Sequence, residues 1–241
     1  MRRRFANLVI ALVTLAALCS GAWLVRSGGQ THAPPQPSAA QARTQPTGPQ
    51  PTDKPAVPAE SAAPALPPSP PLRIRIPAIG VNAPLMGLGL TATGSLEVPP
   101  LEREDLAGWY EAGTVPGETG TAIVAGHVDN ADGPSVFYRL GALEKGGTVE
   151  VERLDGTTAR FVVDAVEVYD RDHFPDEKVY GAASRPELRV ITCGGSYTPE
   201  TGYEGNVVVF AHLTGGGTGD GRRPLSVITP PTAGTPDSPR A

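Results

Sequence analysis

Between residues 72 and 213 the chain is written in short β-branched runs separated by Gly and Pro, a punctuation that suits strands and little else. The runs are LRIRI (72–76), SLEVP (95–99), TAIVAGHV (121–128), TVEVERL (148–154), ARFVVDAVEVY (159–169), ELRVITC (187–193) and NVVVFAHL (206–213). In TVEVERL the apolar Val149, Val151 and Leu154 are offset by Glu150, Glu152 and Arg153, the pattern of a strand with one buried and one wet face. DGTT at 155–158 predicts a hairpin to the next run. Helical periodicity is weak. PSVFYRLGAL (134–143) sets Val136, Phe137, Leu140 and Leu143 on one face, and a short turn is expected near Asp176 to Tyr180. Seven or eight strands in about 140 residues predict an all-β domain closed into one barrel, which leaves no sheet edge open; a sandwich is the alternative topology.

Both ends of the chain read differently. Arg2, Arg3 and Arg4 precede an uncharged run from Leu8 to Val25, about long enough to cross a bilayer as a helix, and Arg26 closes it. Residues 1–26 are therefore expected to form a cytoplasmic arginine cluster and a transmembrane anchor, with everything after them outside the membrane. A cleaved signal peptide is the competing reading, given the small residues from Ser20 to Ala22. Residues 27–71 hold Pro, Ala, Gln, Thr and Ser with few core formers, the composition of a disordered linker that holds a folded domain away from the membrane. Residues 214–241, again rich in Gly, Pro and Thr, read as a disordered tail. The folded domain is thus expected over 72–213.

Charge and cysteine content narrow the function. The formal net charge is −5, and residues 72–213 carry no run of Lys or Arg that could track a phosphate backbone, so nucleic acid is not an expected partner. The two cysteines are far apart: Cys19 lies in the apolar run and Cys193 ends a strand, so Cys193 is expected to be a free thiol. The four histidines at 32, 127, 173 and 212 do not have the spacing of a zinc site, no loop gathers enough carboxylates for calcium, and no cofactor is implied.

Cys193 is followed by Gly194 and Gly195, which let a substrate backbone approach closely. Taken alone, a free cysteine reads more readily as a small core residue. TAIVAGHV ends at His127 in the same way that ELRVITC ends at Cys193. Two strands set side by side would place an imidazole next to a thiol, the pairing that nucleophilic acyl transfer requires.

The segments GWYEAGTVPGETGTAIVAGHVDN (108–130), GPSVFYRLGAL (133–143) and LRVITCGGSYTPETGYEGNVVVFAHL (188–213) resemble the sortases, most closely the class F sortases of actinobacteria. The resemblance covers roughly residues 72–213, with histidine before cysteine, Thr192 before the cysteine and a valine-rich strand soon after. It implies an eight-stranded barrel and a cysteine transpeptidase that cleaves an LPXTG-like sorting signal between Thr and Gly. Cys193 would carry the acyl group as a thioester and His127 would be the general acid/base. The partners implied are sorting-signal proteins, a cell-wall or pilin amine acceptor, and the membrane through the N-terminal anchor. The family also uses an arginine, usually on the strand after the cysteine, yet no arginine lies between Cys193 and Leu213. Two substitutes are available: Arg189, on the face of Cys193 but about 13 Å along the strand, and Arg139, in FYRL. Asp129 is a candidate to orient His127. Trp109 and Tyr110 are expected to pack in the core, and His173 to be exposed. Two other readings stay open: a peptidoglycan-crosslinking cysteine transpeptidase, whose usual Ser-His-Gly-Cys cluster is absent, and a noncatalytic wall-associated barrel that binds peptides by strand addition.

Overall fold

The alternation of inward and outward side chains along eight strands closes them into one barrel. The strands are β1 (Pro71–Ile76), β2 (Val81–Leu88), β3 (Ala107–Tyr110), β4 (Gly120–Ala125), β7 (Thr148–Arg153), β8 (Thr157–Asp170), β9 (Pro186–Thr198) and β10 (Gly202–Thr218). They hydrogen-bond in the order β1-β2-β3-β4-β9-β10-β8-β7, and β7 pairs back onto β1. A two-residue ladder, β5 (Asp129–Asn130) with β6 (Gly133–Pro134), follows β4. The computed structural model describes residues 33–43 and 63–218. The predicted span at 8–25 lies outside them, and among the described residues no helix is long and apolar enough to cross a membrane.

The interior draws on every strand of the barrel, including Ile74, Ala83, Ala107, Val124, Val151, Phe161, Val190 and Val209, with Phe137, Leu140 and Leu143 contributed by the β6–β7 connection. PSVFYRLGAL buries these last three as its spacing predicts, but the only helical turn in it is the 3-10 turn Leu140–Ala142. A second apolar cluster lies on the outer face of β4, β8, β9 and β10. It gathers Ile123, Ala165, Ile191, Val208 and Phe210 beneath Val179 of the short helix Asp176–Tyr180. These four strands are apolar on both faces, and that is why their sequences run nearly unbroken in valine and isoleucine.

Two expectations need correction. SLEVP forms no strand: Leu96 makes only an isolated bridge to Leu90, and the β2–β3 connection runs as a loop from 89 to 106. In its place β2 and β3 complete the barrel; β2 was hidden by Pro84 and Gly87, β3 by its brevity. In TVEVERL the period of two continues past Val151 to Arg153, which is 2% exposed, whereas Leu154 turns out to 64%. The buried guanidinium donates to Pro67 O and lies 3.4 Å from Asp155 Oδ2. DGTT does form the hairpin: the Asp155 carboxylate accepts from Thr157 N–H at 2.9 Å, and Gly156 takes φ +78°.

Parts of the Pro-rich stretch lie against the barrel. Leu66 N–H donates to Gly117 O at 2.9 Å, and Ser69 Oγ accepts from Asp155 N–H at 3.0 Å. Residues 33–43 also make contacts, near Gly195, Gly141, Lys145 and Glu167.

Candidate active site

β4 and β9 run parallel, with Gly120 opposite Pro186 and Ala125 opposite Ile191. Gly126 N–H donates to Ile191 O at 3.2 Å, so the same register continues past the end of β4. One more residue brings His127 level with Cys193 on a strand about 4.8 Å away. Both then project from the outer face that carries Ile123 and Ile191. Thr192 fills the step between them. It points inward at 4% exposure, and its hydroxyl donates to Gly126 O at 2.8 Å. A side chain thus joins β9 to β4 where the backbone ladder ends.

His127 Nε2 lies 2.7 Å from Pro99 O in the β2–β3 loop. A carbonyl can only accept, so Nε2 carries a hydrogen and the neutral ring keeps its lone pair on Nδ1. Asn130 Nδ2 donates to Leu101 O of the same loop at 3.0 Å. Asp129, expected as an orienting carboxylate, is engaged elsewhere: Tyr203 Oη donates to its Oδ2 at 2.5 Å. Burial and then the Asp129 charge push the Tyr203 phenol up, so it remains a donor. The Tyr203 ring packs edge-on against Tyr197, with centroids 5.0 Å apart.

Cys193 is free and presents surface to solvent, yet the groups around it strip enough water from the sulfur to matter. Burial pushes its thiol up, Arg171 pulls it down, and Asp129 pushes it up again. Arg171 is the residue that reading the sequence missed. Tyr169 and Cys193 both stand opposite Asn206 of β10, so the three share the outer face. Arg171 opens the 3-10 turn Arg171–His173 just beyond the end of β8, near enough to Cys193 for its charge to act on the thiol. A Cβ on Gly194 would stand 2.6 Å from Val207 of the interior, and one on Gly205 2.4 Å from Tyr169 O. The Arg171 guanidinium donates to Tyr203 O. Nothing in the run ending in Val168, Tyr169 and Asp170 flags Arg171, and only the pairing of β8 with β10 brings it toward Cys193. On the strand after the cysteine, the place directly opposite Cys193 belongs to the half-buried Asn206.

Arg189 shares the face of Cys193, as period two requires, but it is 3% exposed and bound at the other end of β9. Its Nη2 lies 2.7 Å from Glu187 Oε2, and its guanidinium sits 4.7 Å from the centroid of the Phe210 ring. Arg139 is exposed at the start of the 3-10 turn Leu140–Ala142. The structure brings His127 and Cys193 into register and sets Arg171 near the thiol, while Arg189 is tied to Glu187. Trp109 packs against the interior and Tyr110 against the outer cluster, and His173 is exposed.

Residues 74–214, more than half of the chain, match the family model described as a sortase domain. Similar solved folds include a sortase from Actinomyces oris, 23% identical, TM-score 0.48, covering 68% of this chain and 90% of that one. Sortase A from Listeria monocytogenes is 17% identical, TM-score 0.47, covering 61% and 89%. Sortase A from Corynebacterium diphtheriae is 21% identical, TM-score 0.46, covering 60% and 61%. No curated protein matches the chain by sequence.

Proposed function

The chain belongs to the sortase family and is a cysteine transpeptidase, and from that premise we propose that Cys193 and His127 transfer the acyl part of an LPXTG-like sorting signal to an amine. The observation that carries the assignment is the β4–β9 register, which holds residues 127 and 193 level and is fastened by Thr192. His127 Nδ1 takes the proton of the Cys193 thiol, and the resulting thiolate attacks the threonine carbonyl carbon. Negative charge gathers on the carbonyl oxygen, where the Arg171 guanidinium and the Asn206 amide are the donors available beside the sulfur. The C–N bond to glycine then breaks, and His127 gives the leaving amine its proton, leaving a thioester. An acceptor amine attacks the thioester carbonyl, returns a proton to His127 and releases the Cys193 thiolate. Because Nε2 is held by Pro99 O, the nitrogen that gives and takes the proton is Nδ1.

The raised thiol means that the reactive thiolate is a minority form at neutral pH, and Arg171 is the charge that enlarges it. Exposed Val98 and Leu101 flank Pro99 beside His127 and offer an apolar wall for the signal's leucine and proline. The class F placement rests on the GHVDN and ITCGG segments. Attachment of substrates to the cell wall or to pilins, and a single-pass anchor with the barrel outside the membrane, rest on Arg2 to Arg4 and the run from Leu8 to Val25. The direct test incubates the protein with a panel of LPXTG-type peptides and weighs it by mass spectrometry. A thioester on Cys193 is expected, absent in Cys193→Ala and at least 100-fold slower to form in His127→Ala. A folded protein that acylates with no peptide of the panel would refute the substrate assignment.

A further inference from the structure

Two opposite charges act on Cys193, and one residue holds both of them. Burial acts on the thiol most strongly and pushes it up; of the charges, Arg171 pulls it down and Asp129 pushes it up. These charges come from different elements. Arg171 opens the 3-10 turn after β8, and Asp129 belongs to the β5–β6 ladder that follows β4. Tyr203 of β10 joins them. Its hydroxyl donates to Asp129 Oδ2 at 2.5 Å, and its carbonyl oxygen accepts from the Arg171 guanidinium. The end of β9 explains how Tyr203 comes to stand there. Gly205 pairs with Gly194 but Tyr203 pairs with Tyr197, so β9 carries one residue more than β10 between the two pairs. Gly195 takes φ +80° inside this bulge, a conformation open to glycine and strained for other residues. The bulge begins two residues past Cys193 and re-aims Tyr203.

The surroundings keep the residue in this role. Its ring packs edge-on against Tyr197, and the β9–β10 connection is closed by the Thr198 hydroxyl, which accepts from Thr201 N–H at 3.1 Å. Asp129, Tyr138 and Tyr197 face the phenol, and burial with the Asp129 charge keeps it protonated and donating. The two contacts act differently on the charges they hold. A phenol bonded to a carboxylate sets the positive end of its O–H dipole against the anion and offsets part of its field. Asp129 then opposes the thiolate less than a bare carboxylate would. A carbonyl oxygen carries no net charge, so it anchors the guanidinium without cancelling its pull on the thiol, as a carboxylate would.

We propose that Tyr203 is a positioning residue for Cys193: its hydroxyl restrains and partly offsets Asp129 while its carbonyl anchors Arg171, so that the balance of charge at the nucleophile is set through this one residue. The charged and titratable groups concerned are Arg171 from the end of β8, Asp129 from β5 and His127 from the end of β4; Asn206, opposite Cys193 on β10, is neutral. The effect on turnover rests on the acyl-transfer reading above.

The test uses the full-length chain as wild type, Tyr203→Phe, Asp129→Asn and the double variant. Each is followed by maleimide labelling of the exposed Cys193 against pH, resolved peptide by peptide, and by cleavage of an LPXTG-type peptide. Phenylalanine keeps the ring against Tyr197 and the carbonyl toward Arg171, and removes only the hydroxyl. Tyr203→Phe is expected to move the labelling curve to higher pH, slowing labelling at neutral pH about threefold, and to lower kcat about 3- to 10-fold with KM nearly unchanged. In the Asp129→Asn background no charge is left to restrain, so the same change should leave the curve where Asp129→Asn alone puts it. A Tyr203→Phe curve coincident with wild type, or an equal shift with and without Asp129, would overturn the proposal. The carbonyl arm is read from Tyr203→Ala, which also removes the ring that steadies the strand. Arg171→Ala should shift the curve less in that background than in the native protein, and an undiminished shift would remove Tyr203 as the anchor. The expected labelling pattern in proteins that cleave no peptide would uphold the positioning role while overturning the substrate assignment.

Discussion

Replacing Thr192 by Val removes one hydrogen-bond donor and keeps the branched shape, so it probes the link between the two catalytic strands almost in isolation. In the native protein the hydroxyl donates to Gly126 O at 2.8 Å from a site 4% exposed. Valine leaves that buried carbonyl without this partner, a loss of about 1–2 kcal/mol. For a domain of this size that corresponds to a fall in Tm of about 2–8 °C. The catalytic effect should be larger, because the bond lies one residue before both His127 and Cys193, and displacing a reacting group by about 1 Å can cost about 100-fold. The expected result is a 10- to 100-fold fall in kcat with KM nearly unchanged, since Thr192 points into the barrel and away from the groove. Thr192→Ser keeps the donor and should recover most of kcat while losing some stability with the missing methyl. Thermal unfolding and peptide-transfer kinetics on the three proteins decide the matter. A valine variant with native Tm and kcat, or a serine variant as slow as the valine one, would refute the reasoning.

Other expectations follow from the charges around the site. Maleimide labelling of Cys193 should climb with pH beyond the range of an ordinary cysteine; Arg171→Ala should move the curve to higher pH and Asp129→Asn to lower pH, and coincident curves would remove both residues from the site. Arg189→Met should cost about 1–3 kcal/mol of stability in urea unfolding and leave kcat within about threefold, because Arg189 serves Glu187 and Phe210 and does not reach the sulfur. Burial pushes the Glu187 carboxyl up, but hydrogen bonds from Arg189 and Arg185 outweigh it and leave the carboxyl below the usual range. With the folded value depressed, its stabilising contribution is complete above the unfolded carboxylate value and is lost as pH falls through the folded one. The native protein should therefore weaken on acidification below the ordinary glutamate range, and Arg189→Met should weaken less; equal acid sensitivity would contradict the pairing.

Particular residues show how far the order of amino acids could be read. Strands that end in a reactive side chain declare themselves, because a polar residue after a β-branched run stands out, and Cys193 and His127 were both visible in this way. Arg153 shows where such reading misleads. A buried arginine violates the expectation that charge lies outside, and only the neighbouring Pro67 carbonyl and Asp155 make its burial tolerable. β2 was missed for a related reason, since Pro84 and Gly87 look like breakers until β1 and β3 are seen on either side.

What the sequence determined by itself was local: strand periodicity, the hairpin at DGTT, the cysteine followed by two glycines, and the lack of an arginine from Cys193 to Leu213. These depend on bond geometry and hydrophobic patterning within a few residues, which are written in consecutive letters. What only the tertiary structure decided was lateral: that β4 lies against β9 in the register that levels His127 with Cys193, that β8 brings Arg171 toward them across β10, and that residues 33–43 reach back to Gly195. Each of these joins residues tens to more than a hundred positions apart. Pairings over such distances are chosen by closure of the whole barrel and burial of its two apolar clusters, a condition no single stretch of sequence contains.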